Sequence, residues 1–101
     1  MPKLYITEFA GGMTYPVSNA PAPAVALPAV GTQVVSFTSA STQSLALGAS
    51  TRLVRLNTDA PCHILVGGDP TASLTSLRLS AEATEYFGVR PGDKIAVIAG
   101  G

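Results

Sequence analysis

The sequence predicts an all-β chain: a β-sandwich or jelly-roll-like domain of about eight short strands with an extended Pro/Ala-rich N-terminal arm. Three observations lead there. Apolar and polar residues alternate over short runs, the period of a half-buried strand. Turn clusters built on Gly, Pro, Asn or Asp separate these runs at intervals of roughly ten residues, the spacing of sandwiches and barrels. No segment sustains the helical period. The expected division is 1–31 for the first strand and the arm, and 32–101 for the sandwich.

Leu4 to Phe9 reads as the first strand, with Leu4, Ile6 and Glu8 on one side and Tyr5, Thr7 and Phe9 on the other; Gly11-Gly12 breaks it. Met13 to Val30 is rich in Pro, Ala and Val. Its prolines at 16, 21, 23 and 28 each lack a backbone donor and bias the preceding residue toward extended geometry. The segment therefore reads as a polyproline-like arm. Thr32 to Thr38 is the next strand, with Val35 and Phe37 opposed to Val34 and Ser36. Gln43 to Leu47 places Leu45 and Leu47 together, and Gly48-Ala49-Ser50 turns the chain. Thr51 to Asn57 is apolar on both faces, as in a central strand. Beyond the turn Thr58-Asp59-Ala60-Pro61, Cys62, Ile64 and Val66 alternate with His63 and Leu65. Gly67-Gly68-Asp69-Pro70 is a strong break. Leu77 and Leu79 flank Arg78, and Thr84 to Val89 alternates Tyr86 with Glu85 and Phe87. Arg90-Pro91-Gly92-Asp93 has Pro and Gly in the order a β-turn prefers, and Lys94 to Ala99 closes the series. The core expected from this phase is Leu53, Ile64, Val66, Phe87, Ile95 and Val97, with Phe37.

Charge is the most unusual feature. Charged residues are 12% of the 101, against about 25% in an average domain, and the formal net charge is zero. From Phe9 to Thr51 there is no Asp, Glu, Lys, Arg or His. Soluble surfaces normally intersperse charges, so a neutral stretch this long points to contact with another protein. The six basic residues are scattered in sequence, which gives no long-range pull on nucleic acid or anionic lipid. No run reaches the roughly eighteen apolar residues of a membrane span, and the first eight residues do not form a signal peptide. Cys62 is the single cysteine, which fits cytoplasmic synthesis and a small buried side chain.

The residues that could carry chemistry do not assemble into a pattern. His63 is the one histidine; neighbouring Cys62 points to the opposite face of a strand, so the expectation is a polar residue on an outer face. Glu82 and Glu85 lie in a loop leading into a strand. Gly67-Gly68-Asp69-Pro70-Thr71 lacks the spacing of a phosphate-binding loop and reads as a turn. No catalytic, cofactor or metal residues are expected. The candidate interface residues are Tyr5, Phe9 and Tyr15 as aromatic anchors, with Pro21, Pro23, Val25, Leu27 and Pro28 along the arm.

The stretches Thr51-Arg52-Leu53-Val54-Arg55-Leu56, Gly67-Gly68-Asp69-Pro70-Thr71-Ala72 and Thr84-Glu85-Tyr86-Phe87-Gly88-Val89-Arg90-Pro91-Gly92 resemble small structural proteins of tailed bacteriophages. Within that group the chain looks most like a capsid decoration (cement) protein. The resemblance implies a compact β-sandwich clamped on the outer surface of a head shell. Its partners would be the major capsid protein and neighbouring copies of itself, in a homo-oligomer located on the virion. It carries no catalytic residues, and Gly11 to Val30 matches no pattern of that group. The alternative reading is a carbohydrate-binding β-sandwich for host-surface recognition on a phage tail, which would present an exposed aromatic platform.

Overall fold

The computed structural model describes residues 2–10, 12–14, 21–25 and 30–100, and for 12–14 and 21–25 the backbone alone. Among these, the strands in chain order are β1 (Lys3–Phe9), β2 (Gly12–Thr14), β3 (Pro21–Val25), β4 (Gly31–Ser36), β5 (Thr42–Gln43), β6 (Leu53–Thr58), β7 (Cys62–Gly67), β8 (Leu77–Leu79), β9 (Thr84–Gly88) and β10 (Lys94–Ala99). The described residues contain no helix. Eight strands form two antiparallel four-stranded sheets, ordered β4-β1-β6-β9 and β5-β10-β7-β8. β2 and β3 pair with each other as a separate ribbon.

Alternation sets the inner faces. In the first sheet Leu4 and Ile6 of β1, Val35 of β4, and Val54 and Leu56 of β6 point to one side and are buried. In the second, Cys62 and Ile64 of β7 and Ile95 and Val97 of β10 do the same. These side chains, with Phe37, Leu47 and Leu79, make one hydrophobic cluster drawn from both sheets. Each fully buried large aliphatic or aromatic side chain contributes about 1.5–3 kcal/mol, so this shared cluster is what holds the sheets together.

The expected core is partly shifted. Ile64, Ile95 and Val97 are buried, and so is Phe37. Leu53, Val66 and Phe87 are only partly covered. In β6 the inward residues are Val54, Leu56 and Thr58, which turns Leu53 to the other face. Phe87 lies on β9, an edge strand whose one partner among the described residues is β6. Leu45 and Leu47 do not share a face: Leu47 is buried and Leu45 is exposed. The regular strand ends at Gln43, and the segment continues along β10 through Ser44 N–H to Ile95 O and Leu47 N–H to Asp93 O, both 2.8 Å.

β1 is an interior strand, with Leu4 opposite Val35 of β4 and Thr58 of β6. Residues 3–9 therefore belong to the same sheet as 31–36 and 53–58. β1 and β4 are antiparallel neighbours; the chain leaves after Phe9 and returns at Val30, whose N–H donates to the Glu8 carbonyl at 2.8 Å. The Pro/Ala-rich segment is thus an excursion from the end of a hairpin rather than a terminal arm. Within it Gly12 faces Val25 and Thr14 faces Pro21 with a register shift between them, where the sequence predicts a single polyproline-like run. Extended residues can pair wherever a partner strand is available. Proline, lacking a donor, is tolerated on edges, and a two-stranded ribbon consists entirely of edges.

The turns follow their chemistry. The Asp93 N–H donates to the Arg90 carbonyl at 3.2 Å. Pro91 and Gly92 occupy the central positions, with Gly92 at φ 82°. That positive φ at the third residue is the requirement of a type II turn. The loop after β7 folds back over the outer face of the second sheet. Gln43 Nε2 donates to Asp69 Oδ1 and to the Pro70 carbonyl, each at 2.8 Å, and Ala72 N–H donates to Ser41 Oγ at 2.9 Å.

Candidate functional site

The neutral stretch maps onto one flank of the molecule. Beyond the β2–β3 ribbon it supplies β4, the 37–41 connection, β5 and the segment to Thr51. β4 is the edge of the first sheet and β5 the edge of the second. Between them runs a groove of about 400 Å³ lined by Thr32 to Ser36 and Thr42 to Leu45, none of them charged. Gln33 spans this seam: its Oε1 accepts from the Leu45 N–H at 3.0 Å and its Nε2 donates to the Leu45 carbonyl at 3.2 Å. On either side of the bridge, Val34 is 57% exposed and Leu45 78% exposed. Tyr5, directly across from Val34 on β1, is 40% exposed.

One end of this flank is fastened by a buried carboxylate. Glu8 follows Leu4 and Ile6 on the inner face of β1. Its Oε1 accepts from the Gly48 N–H and the Thr51 hydroxyl, each at 2.8 Å, and its Oε2 lies 3.4 Å from Gln33 Nε2. Burial by itself raises its pKa; the hydrogen bonds from Gly48, Thr51 and Gln33 outweigh that and leave it below the usual value. All three donors are neutral, so the carboxylate is held by dipoles. It ties β1 to the 48–51 turn and to β4, which is a structural assignment.

The outer face of the first sheet carries the second exposed feature. Tyr5 of β1 and Tyr86 of β9 both point outward, and Tyr86 is 52% exposed. Between them on β6 stand Asn57, opposite Tyr5, and Arg55, opposite Tyr86. A cleft of about 530 Å³ lies elsewhere, bounded by Arg52, Val66, Gly67, Gly68, Gly88, Val89, Arg90 and Asp93.

The expected interface residues do not form one patch. Tyr5 lies on the exposed face beside Val34. Phe9 shares the parity of Tyr5 and Thr7 yet is 4% exposed; it faces Leu53 on β6 and packs within the chain. Pro21, Pro23 and Val25 are on β3. Tyr15, Leu27 and Pro28 fall outside the described residues. Val34, Leu45 and Tyr86 were not among the interface residues expected from the sequence. The signal for the first two was the absence of charge in Thr32 to Ser36 and Thr42 to Leu45, which was spent instead on the proline segment.

His63 differs from expectation. It does lie on the outer parity of β7, but it is buried rather than solvated. Its Nδ1 is 2.9 Å from the Ser76 carbonyl, which puts the ring proton on that nitrogen. That contact lays the 69–76 loop against the ring. Cys62 is fully buried against Thr58, and burial pushes its thiol up. Glu82 and Glu85 are both exposed, one in a turn at φ 62° and one on β9. Gly67 and Gly68 close β7 and lead into the loop. Among the described residues no three His, Cys, Asp or Glu side chains converge as a metal site, and no helix is long and apolar enough to cross a membrane.

Comparison of the chain with known protein families, with curated proteins and with solved structures found no match.

Proposed function

We propose that this chain is a structural assembly protein that works by binding alone, as a decoration (cement) protein on the head shell of a tailed phage. The observation that carries this reading is the charge-free groove lined by β4 and the 42–45 segment. A surface of this kind suits dry protein contact, and an interface above roughly 1,000 Å² is the scale of a stable assembly. The topology supports it as well. Followed from β4 to β10 and then across to β1, the strands alternate between the sheets as in a jelly roll, with only the β7–β8 step staying within one sheet. That crossing is short: Pro2 O accepts from the Phe37 N–H, and Thr38 O accepts from the Ala99 N–H. Jelly rolls are a common architecture of viral capsid proteins.

Mass-spectrometric copy number in purified particles tests the reading. Hundreds of copies per particle are expected; a handful would indicate a tail or portal component and overturn it. Particles lacking the protein should also rupture at lower temperature.

A second reading is favoured by the outer face of the first sheet. Tyr5 and Tyr86, with Arg55 and Asn57 between them, offer two aromatic rings and polar groups to a carbohydrate. Glycan-array binding that is lost in Tyr86→Ala would support this reading over decoration.

A further inference from the structure

The four edges of the two four-stranded sheets are not protected equally. β5 has two residues and β8 three, too short to template a partner. β9 carries Glu85 and follows a turn holding Glu82. Short edges and charged side chains are the usual guards against edge-to-edge pairing. β4 has six residues, Gly31-Thr32-Gln33-Val34-Val35-Ser36, with neither a charge nor a proline. Among the described residues it pairs with β1 alone, and its other edge faces the neutral groove.

Backbone phase shows which groups lie on that edge. The Phe37 N–H bonds to the Pro2 carbonyl in register with the β1–β4 ladder. Alternation then turns Val35 and Gln33 toward β1 and leaves the N–H and C=O of Thr32, Val34 and Ser36 facing outward.

We propose that β4 pairs antiparallel with β4 of a second copy, joining two four-stranded sheets into one continuous sheet with its two-fold axis at Val34. The strand is self-complementary. Val34 meets Val34 as a hydrogen-bonded pair and Thr32 meets Ser36, so every outward backbone group finds a partner and no charge opposes a like charge. The axis is perpendicular to the sheet, so outer faces stay on one side. Tyr5 and Val34 of both copies then form a row across the junction. The same rotation turns the 42–45 segments toward one another and gives Leu45 a surface to cover. This pairing deepens the assembly reading by naming the contact between copies, and its use rests on that reading. Its existence does not, because it is measured on the free protein.

Sedimentation equilibrium of the full chain should show a dimer. Val34→Pro removes an outward donor at an edge position, and Val34→Lys places two ammonium groups at the axis. Each should raise the dimer Kd by more than about tenfold while the strand signature in circular dichroism is retained. Should Val34→Pro fail to fold, Val34→Lys decides, since the side chain is exposed. Replacing residues 11–29 by an Asn-Gly turn should leave the dimer intact. A monomeric wild type, a dimer that survives Val34→Lys, or a dimer lost only with residues 11–29 would each overturn the proposal. Particle binding by a folded Val34→Lys monomer would leave decoration standing while this contact plays no part in it.

Discussion

The Thr51 hydroxyl donates to the Glu8 carboxylate at 2.8 Å, and both side chains are buried. The pair joins β1 to the turn before β6, and it fixes a pH dependence. The carboxyl pKa is lowered from 4.5 in the folded state. The unfolded chain therefore takes up the proton first as pH falls. The stabilisation is complete above about pH 4.5 and is lost as pH drops through the lower folded value. Glu8→Gln should flatten the acid limb of a stability-against-pH curve. At neutral pH it should cost about 1–3 kcal/mol, the scale for disrupting a buried hydrogen-bonded group. Urea denaturation across pH 3 to 7 measures both.

Gly92 sits at φ 82° in the turn before β10. A Cβ there meets no neighbour within 4 Å, so backbone conformation is the sole cost. Gly92→Ala should lower stability by about 1–2 kcal/mol. Gly88→Ala, also in open space and without the positive φ, should cost less. Thermal denaturation of the two variants separates the effects.

Phe37 is fully buried within the shared cluster, whereas Phe87 packs against it from an edge strand and is partly exposed. Phe37→Ala should cost about 3–5 kcal/mol. Phe87→Ala should cost less, below the roughly 1.5–3 kcal/mol of a fully buried side chain, because the ring is only partly covered. Equal losses measured by denaturant titration would show that β9 is covered more deeply than its edge position implies.

The segment 11–29 joins strands that already pair at Glu8 and Gly31. Replacing it with Asn-Gly, a hairpin turn, should leave a cooperatively folding protein. In the intact chain elastase, which cuts after small apolar residues, should cleave first between 11 and 29 and spare 31–99. Trypsin has no site there, because Lys and Arg are absent from 9–51. Cleavage by elastase at equal rates throughout the chain would contradict the expected difference.

Period-two patterning was readable wherever a strand has one dry and one wet face. Val35 and Phe37 against Val34 and Ser36, and Leu4, Ile6 and Glu8 against Tyr5 and Thr7, were legible from alternation alone; Phe9, of the same parity as Tyr5 and Thr7, is buried instead. So was the turn at Pro91-Gly92, since local chemistry dictates it. Phase failed where both faces carry apolar residues. In Leu53-Val54-Arg55-Leu56 either parity could have been the core, and only the pairing with β1 and β9 turned Val54 and Leu56 inward. His63 was misplaced for a related reason: alternation says which side a residue occupies, not whether a loop distant in sequence lies over that side.

Composition and alternation are local properties, and they alone make this chain β-structured, nearly neutral, and free of charge from Phe9 to Thr51. They could not say that β1 lies between β4 and β6, that the proline-rich segment is an excursion from a hairpin, or that Val34 and Leu45 flank one groove. Those relationships are hydrogen-bonded pairings between residues far apart in the chain. Each is settled only when two sheets close over a common core, with β4 at the edge of one among the described residues.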